Sequence, residues 1–168
     1  IGDGQGLHKI IPELALRFKK ELLFKIIGDG SQYKKLLFEV KTRNCQNVSL
    51  LPPVKRGDLV KIYKEADILF IHLNDFESFT KVLPSKLFEY SASGKPIWAG
   101  VDGYARLFIK QKIENCAIFS PCIVDEAVSS FKNLKMVTNP RKKFTNEFSR
   151  EKIMKKMAEN IIDFGQND

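Results

Sequence analysis

Ile68-Leu69-Phe70-Ile71-His72 is followed, after a polar stretch, by Pro84-Ser85-Lys86-Leu87-Phe88-Glu89-Tyr90-Ser91-Ala92-Ser93-Gly94 and then by Pro96-Ile97-Trp98-Ala99. The first run is apolar and only long enough for a buried strand. Pro84 suits a first helical turn, where its missing N–H does no harm, and Gly94 ends the helix that runs from Ser85 to Ser93. The third run reads as another strand. A strand, a helix and a strand at this spacing form a βαβ unit with a right-handed crossover and parallel strands.

The alternation continues outward in both directions. Leu7, Ile10, Ile11, Leu14, Ala15 and Phe18 recur at helical spacing, which predicts a helix from Leu7 to Leu22. Leu23 to Ile27 reads as a short strand ended by Gly28-Asp29-Gly30. A helix from Gln32 to about Arg43 and a strand from Asn47 to Leu51, stopped by Pro52-Pro53, come next. Asp58 to Glu65 is a short helix, and Leu73 to about Leu83 a polar loop. Beyond Ala99 the pattern gives a helix from Tyr104 to Lys112, a strand from Cys116 to Phe119, and helices over Asp125 to Leu134 and Asn146 to Phe164. The expected class is therefore α/β, a Rossmann-like, mainly parallel sheet flanked by helices. Thr138-Asn139-Pro140-Arg141 is the expected break, dividing an α/β domain of residues 1–137 from a C-terminal helical segment, 138–168, packed on the same domain.

Composition limits the function classes. The 168 residues, 43% hydrophobic and 29% charged, suit one globular domain with a real core. No apolar run approaches the roughly 18 residues that span a bilayer, and Ile1-Gly2-Asp3-Gly4 is no signal peptide. The chain opens within a glycine-rich turn without Met, as a fragment of a longer protein would. Cys45, Cys116 and Cys122 form no paired framework, which fits a reducing cytoplasm, and two histidines, His8 and His72, make a zinc site improbable. The net charge of +8 suits anionic lipid, nucleotide phosphate or nucleic acid equally, or simply a solvated helical face. Its densest cluster is Arg141-Lys142-Lys143 followed by Arg150, Lys152, Lys155 and Lys156.

In an open parallel sheet, ligands bind beyond the carboxyl ends of the strands. Three loops qualify. Gly2-Asp3-Gly4-Gln5-Gly6 opens a helix, where free amides and the helix dipole attract anions, although an ordinary turn explains it as well. Gly28-Asp29-Gly30 reads first as a tight turn. At the third loop, Ser85 and Lys86 set a hydroxyl, backbone amides and an ammonium at one helix N-terminus, the groups a diphosphate needs. Glu89 lies one turn on, where a carboxylate can accept from the vicinal hydroxyls of a ribose. A helix cap with a Lys86–Glu89 salt bridge accounts for the same residues. His72 is either a ligand contact or a satisfied structural histidine, His8 is surface or packing, and Trp98 and Cys116 read as core. Neither histidine has the context of a catalytic triad.

Taken in order, these segments resemble the C-terminal domain of family 4 (group 1) GT-B glycosyltransferases, in particular bacterial O-antigen and capsule enzymes. The resemblance rests on Gly4-Gln5-Gly6-Leu7-His8-Lys9-Ile10-Ile11-Pro12-Glu13-Leu14-Ala15, Phe24 to Gly30, Val54, Tyr63-Lys64-Glu65-Ala66-Asp67-Ile68, Pro84 to Tyr90 and Gly94-Lys95-Pro96-Ile97. It implies a domain that binds a nucleotide-diphosphate-sugar donor, often UDP-linked, for a retaining transfer without metal or cofactor. Ser85, Lys86 and Leu87 would take the diphosphate, with Lys86 stabilising the leaving group, and Glu89 the ribose. Gly4, Gln5 and Gly6 would lie near the phosphates, Gly28 and Gly30 would line the donor side, and Val54 would meet the base through its backbone. The family's Glu-x7-Glu pattern departs here, because Lys81 stands where its first glutamate belongs and Glu77 has the wrong spacing. The implied partner is an N-terminal acceptor domain, without which this half is expected to be inactive. The implied place is the cytoplasm, with peripheral contact at the inner face of an anionic membrane, and no nucleic acid is expected. Two other readings use the same features: half of a sugar-nucleotide epimerase, which a full-length sequence would distinguish, and a basic nucleic-acid-binding α/β module, which predicts salt-dependent binding.

Overall fold

The computed structural model describes residues 1–165; positions 166–168 of the expected C-terminal segment lie outside the described residues. Five short strands, β1 (Phe24–Ile27), β2 (Val48–Leu51), β3 (Leu69–His72), β4 (Ile97–Gly100) and β5 (Cys116–Phe119), all pair in parallel. They form two sheets where one was expected, β1-β2 and β3-β4-β5. Among the described residues, β1 and β3 each bond a neighbour on one side only. In the larger sheet His72, Gly100 and Phe119 lie in register at the carboxyl edge.

The three-stranded sheet has helices on both faces because its side chains alternate. Phe70, Trp98, Ala117 and Phe119 pack with α1 (Leu7–Arg17), α2 (Tyr33–Thr42) and α6 (Val124–Phe131). Leu69, Ile71, Ile97 and Ala99 pack with α4 (Ser85–Ser93), α5 (Gly103–Lys112) and α7 (Lys142–Glu147). Trp98 is core, as expected, and its indole N–H donates to Ser130 Oγ at 3.1 Å. Cys116 is half-buried against the second cluster, and burial pushes its thiol up to about 12. The remaining helices are α3 (Arg56–Glu65), beside α4, and α8 (Arg150–Gly165).

Two helices differ from what periodicity predicts, one in its end and one in its start. α1 stops at Arg17 rather than Leu22 because the Asn47 side-chain amide donates to the carbonyls of Ala15, Phe18 and Leu22, satisfying acceptors that a continuing helix would have bonded itself. The helix expected from Asn146 to Phe164 begins only at Arg150, as α8, because residues 146 and 147 close the preceding helix α7. Phe144 and Phe148 turn inward onto Phe88 and Phe108, and Ser149 then opens α8 by accepting from the Lys152 amide at 3.3 Å. Among the described residues no helix is long and apolar enough to cross a membrane.

Arg141 is not part of a solvated basic face. Its guanidinium donates to the carbonyls of Glu114 (2.7 Å), Lys95 (3.0 Å) and Ser91 (3.2 Å), pinning the start of α7 to the end of α4. Beside it Gly94, at φ 75°, has its carbonyl bonded by the Asn139 amide, and a Cβ there would lie 2.6 Å from the Asn139 carbonyl oxygen. The break expected at Thr138–Arg141 is thus tied down by backbone and guanidinium contacts.

Candidate functional site

The carboxyl ends of the strands carry every loop that the sequence marks. Asp3–Gln5 is a 3-10 turn, and Gly6, at φ 56°, both ends it and begins α1. The turn is bolted to the end of β3. The Asn74 amide donates to the Gly4 carbonyl at 2.8 Å, Asn74 Nδ2 to the Asp3 carbonyl at 2.9 Å, and His72 Nδ1 meets the Gln5 carbonyl at 2.6 Å. A Cβ on Gly6 would stand 3.1 Å from the Asn74 carboxamide, so glycine serves both the left-handed backbone and the close approach. The Gln5 side chain folds back to accept from the Gly2 amide at 2.7 Å. The turn therefore offers a ligand its glycine backbone and the first amides of α1 rather than a glutamine side chain.

Gly28 and Gly30, at φ 138° and 151°, make the tight turn after β1. Asp29 Oδ1 accepts from the Gly30 amide at 2.7 Å, and a Cβ on Gly30 would meet the Ile1 carbonyl oxygen at 2.5 Å. Packing against Ile1 explains Gly30, whereas a Cβ on Gly28 would only touch the Ile1 side chain at 3.9 Å and its positive φ is what asks for glycine. Val54 is 37% exposed in the loop between β2 and α3.

At α4, Pro84 is the N-cap and Ser85 the first helical residue, both Ser85 and Lys86 being exposed. Leu87 differs: its side chain is fully buried and its amide donates to the Pro84 carbonyl at 3.0 Å. The amides left at this N-terminus are those of Ser85 and Lys86. The structure also separates the two local readings of Lys86 and Glu89. Among the described residues neither is in an ion pair. Both line a cleft of ≈ 570 Å³ between α3 and α4, with Arg56, Leu59, Val60, Tyr63 and Lys64 on one wall and Ala92, Ser93 and Lys95 completing the other. Its four cations, Arg56, Lys64, Lys86 and Lys95, face one carboxylate. The Tyr63 hydroxyl is buried beside Glu89 and Tyr90 without a well-aligned hydrogen bond among the described residues, and its ring stands edge-on to Tyr90 at 5.2 Å. Sequence reading missed this wall, because apolar spacing on a short helix says only that the face is covered.

A smaller cavity of ≈ 240 Å³ opens between the loops after β3, β4 and β5, with Asn74, Asp75, Glu77, Asp102 and Ser120 on its walls. Glu77 begins the 3-10 turn Glu77–Lys81, and Lys81 at its other end is exposed and does not line the cavity. Asp75 is paired with Lys9 at 2.8 Å, which holds its carboxyl below the usual range. The turn is held by α5: Gly103, at φ 57°, has no room for a Cβ against the Thr80 backbone.

His72 is the satisfied structural histidine of the two alternatives, with both ring nitrogens on backbone groups, Gln5 and Cys122. Burial lowers it to about 4. His8 is packing rather than surface, buried at the start of α1, and burial followed by the nearby Lys35 lowers its pKa. Cys45, Cys116 and Cys122 are free thiols. Among the described residues no three His, Cys, Asp or Glu side chains gather as a metal site.

No curated protein matches the chain. Residues 4–150 match the family model described as glycosyl transferases group 1. That span takes in the Gly4–Gly6 turn, all five strands, both cavities and Arg141. The chain belongs to the group 1 glycosyl transferases.

Proposed function

We propose that this chain is the nucleotide-diphosphate-sugar-binding half of a retaining glycosyltransferase of bacterial surface polysaccharide synthesis, of the O-antigen, capsule or lipopolysaccharide kind, with a UDP-sugar as donor. The observation that carries the reading is the pair Lys86, in the first turn of α4, and Glu89, one turn on, neither in an ion pair among the described residues and both lining the α3–α4 cleft, which continues along the helix to Ser93 and Lys95.

The diphosphate sits over the Ser85 and Lys86 amides with the Lys86 ammonium beside it, and the first amides of α1 at Gly4–Gly6 approach from the other side. Glu89 accepts from the ribose hydroxyls, and the Val54 backbone meets the base. Leu87 contributes by packing, which fixes the pitch of the helix. Gly28 and Gly30 shape the neighbouring turn. As the bond to the sugar breaks, negative charge grows on the departing diphosphate. Oriented amides and one ammonium then stabilise the transition state more than the ground state, and no metal is needed. With Lys81 solvent-facing, recognition of the sugar hydroxyls falls to Glu77 and its neighbours in the smaller cavity. The acceptor binds a separate N-terminal domain, at the cytoplasmic face of a membrane whose anionic lipids attract the basic chain.

Calorimetric titration with UDP, GDP, ADP and their sugars tests the reading. UDP and a UDP-sugar bind and the others bind more weakly. Failure of all three nucleotides, with this chain and with the full-length enzyme, overturns it.

A further inference from the structure

His72 closes β3 and is 3% exposed. The Cys122 amide donates to its Nε2 at 2.9 Å, so that nitrogen carries no proton. The proton is therefore on Nδ1, which donates to the Gln5 carbonyl at 2.6 Å. Only this neutral tautomer serves both bonds. The ring itself is a slab stacked beside Phe70 and Phe119, at 6.1 and 5.9 Å between centroids. Gly100 makes room for it, since a Cβ there would lie 2.3 Å from His72 Cδ2.

One imidazole at the end of β3 thus joins two loops of the carboxyl edge, the turn at Gln5 and the loop that holds Cys122. On one side it fixes the Gln5–Gly6 peptide, and so the direction in which α1 presents its first amides. On the other it holds Cys122, whose φ of 62° is a conformation that side chains other than glycine rarely adopt. Asn74 reinforces both sides, through the Asp3 carbonyl at 2.9 Å and the Cys122 thiol at 3.6 Å. Phenylalanine would keep an aromatic ring in the slab. What it lacks is a donor and an acceptor on opposite sides of one ring.

We propose that His72 is a positioning residue for donor binding: by bridging the Gln5 carbonyl and the Cys122 amide it sets the α1 amides that meet the donor's phosphates. This rests on the donor reading given above. The test compares His72→Phe, which keeps the slab, with His72→Gln, which keeps one donor and one acceptor. In the full-length enzyme, His72→Phe weakens UDP about tenfold, as expected for one lost hydrogen bond, and leaves uridine within about twofold. Exchange of the Cys122 amide quickens in the same variant. His72→Gln restores most of both. Unchanged UDP affinity in His72→Phe, or equal losses in the two variants, overturns the proposal in favour of packing alone. If His72→Phe does not fold, nitrogen NMR of the wild-type ring decides, because an Nε2–H tautomer excludes the bridge. Wild-type protein that binds no nucleotide would sink the donor reading itself, an outcome distinct from normal binding that His72→Phe leaves intact.

Discussion

Lys86 and Glu89 stand one turn apart on α4 and do not pair with each other; both are left facing the same cleft. At i, i+3 an exposed pair would contribute only a few tenths of a kcal/mol, so leaving them apart loses little stability and keeps two charges available for a ligand.

Lys86→Ala should therefore leave thermal stability within about 0.5 kcal/mol while weakening UDP about 10- to 100-fold and uridine hardly at all. Glu89→Ala should weaken uridine and UDP by similar factors. Calorimetry on both ligands checks the pair. Equal losses for UDP and uridine in Lys86→Ala would remove the phosphate role, and unchanged uridine affinity in Glu89→Ala would remove the ribose role.

Glu77→Gln should lower the affinity for a UDP-sugar relative to UDP about tenfold, the scale of a charged hydrogen bond, because Glu77 lines the smaller cavity. Lys81→Ala should leave that ratio unchanged. The reverse ranking would show that position 81 recognises the sugar in spite of its exposure.

Arg141→Ala should destabilise the fold by about 2–4 kcal/mol, since it strips a half-buried fork from the carbonyls of Ser91, Lys95 and Glu114. Arg141→Lys keeps the charge but not the fork and should recover less than half of the loss. Urea denaturation midpoints measure both. A change below about 0.5 kcal/mol for Arg141→Ala would return this residue to the exposed basic cluster.

Stability should fall as pH drops from about 6.5 to about 4, and His72 is a source of that loss. Burial lowers its folded-state pKa, Lys9 lowers it further, and the Gln5 carbonyl and Asp75 oppose the shift. In this window the unfolded chain binds the proton and the folded chain does not. The contribution is complete above about 6.5, is on the order of 3 kcal/mol, and is gone below about 4. Chemical denaturation at several pH values gives the slope. His72→Gln should flatten it, and an unaltered slope would assign the loss to other groups.

The boundaries that sequence placed best are those set by local chemistry. α4 begins after Pro84 and ends at Gly94 because proline lacks a donor and glycine tolerates a left-handed turn, and β5 is bounded as its apolar run predicts. The boundaries it missed depend on distant groups. α1 ends where Asn47, far along the chain, takes its carbonyls, and the last helical stretch divides where Phe144 and Phe148 find Phe88 and Phe108.

The site divides in the same way. Sequence alone determined the parallel α/β order, the loops at its carboxyl edge and the presence of Ser85, Lys86 and Glu89 on one short helix, because periodicity, turn chemistry and i, i+3 spacing are local. Tertiary structure alone decided that Lys86 and Glu89 stay unpaired on a cleft whose second wall is α3, and that Leu87 is core. It also decided that Glu77 rather than Lys81 reaches a cavity, that His72 bridges two loops and that Arg141 is a half-buried staple. Each of those depends on which groups the fold brings into contact, by packing or by hydrogen bonds, and spacing along the chain carries no record of that.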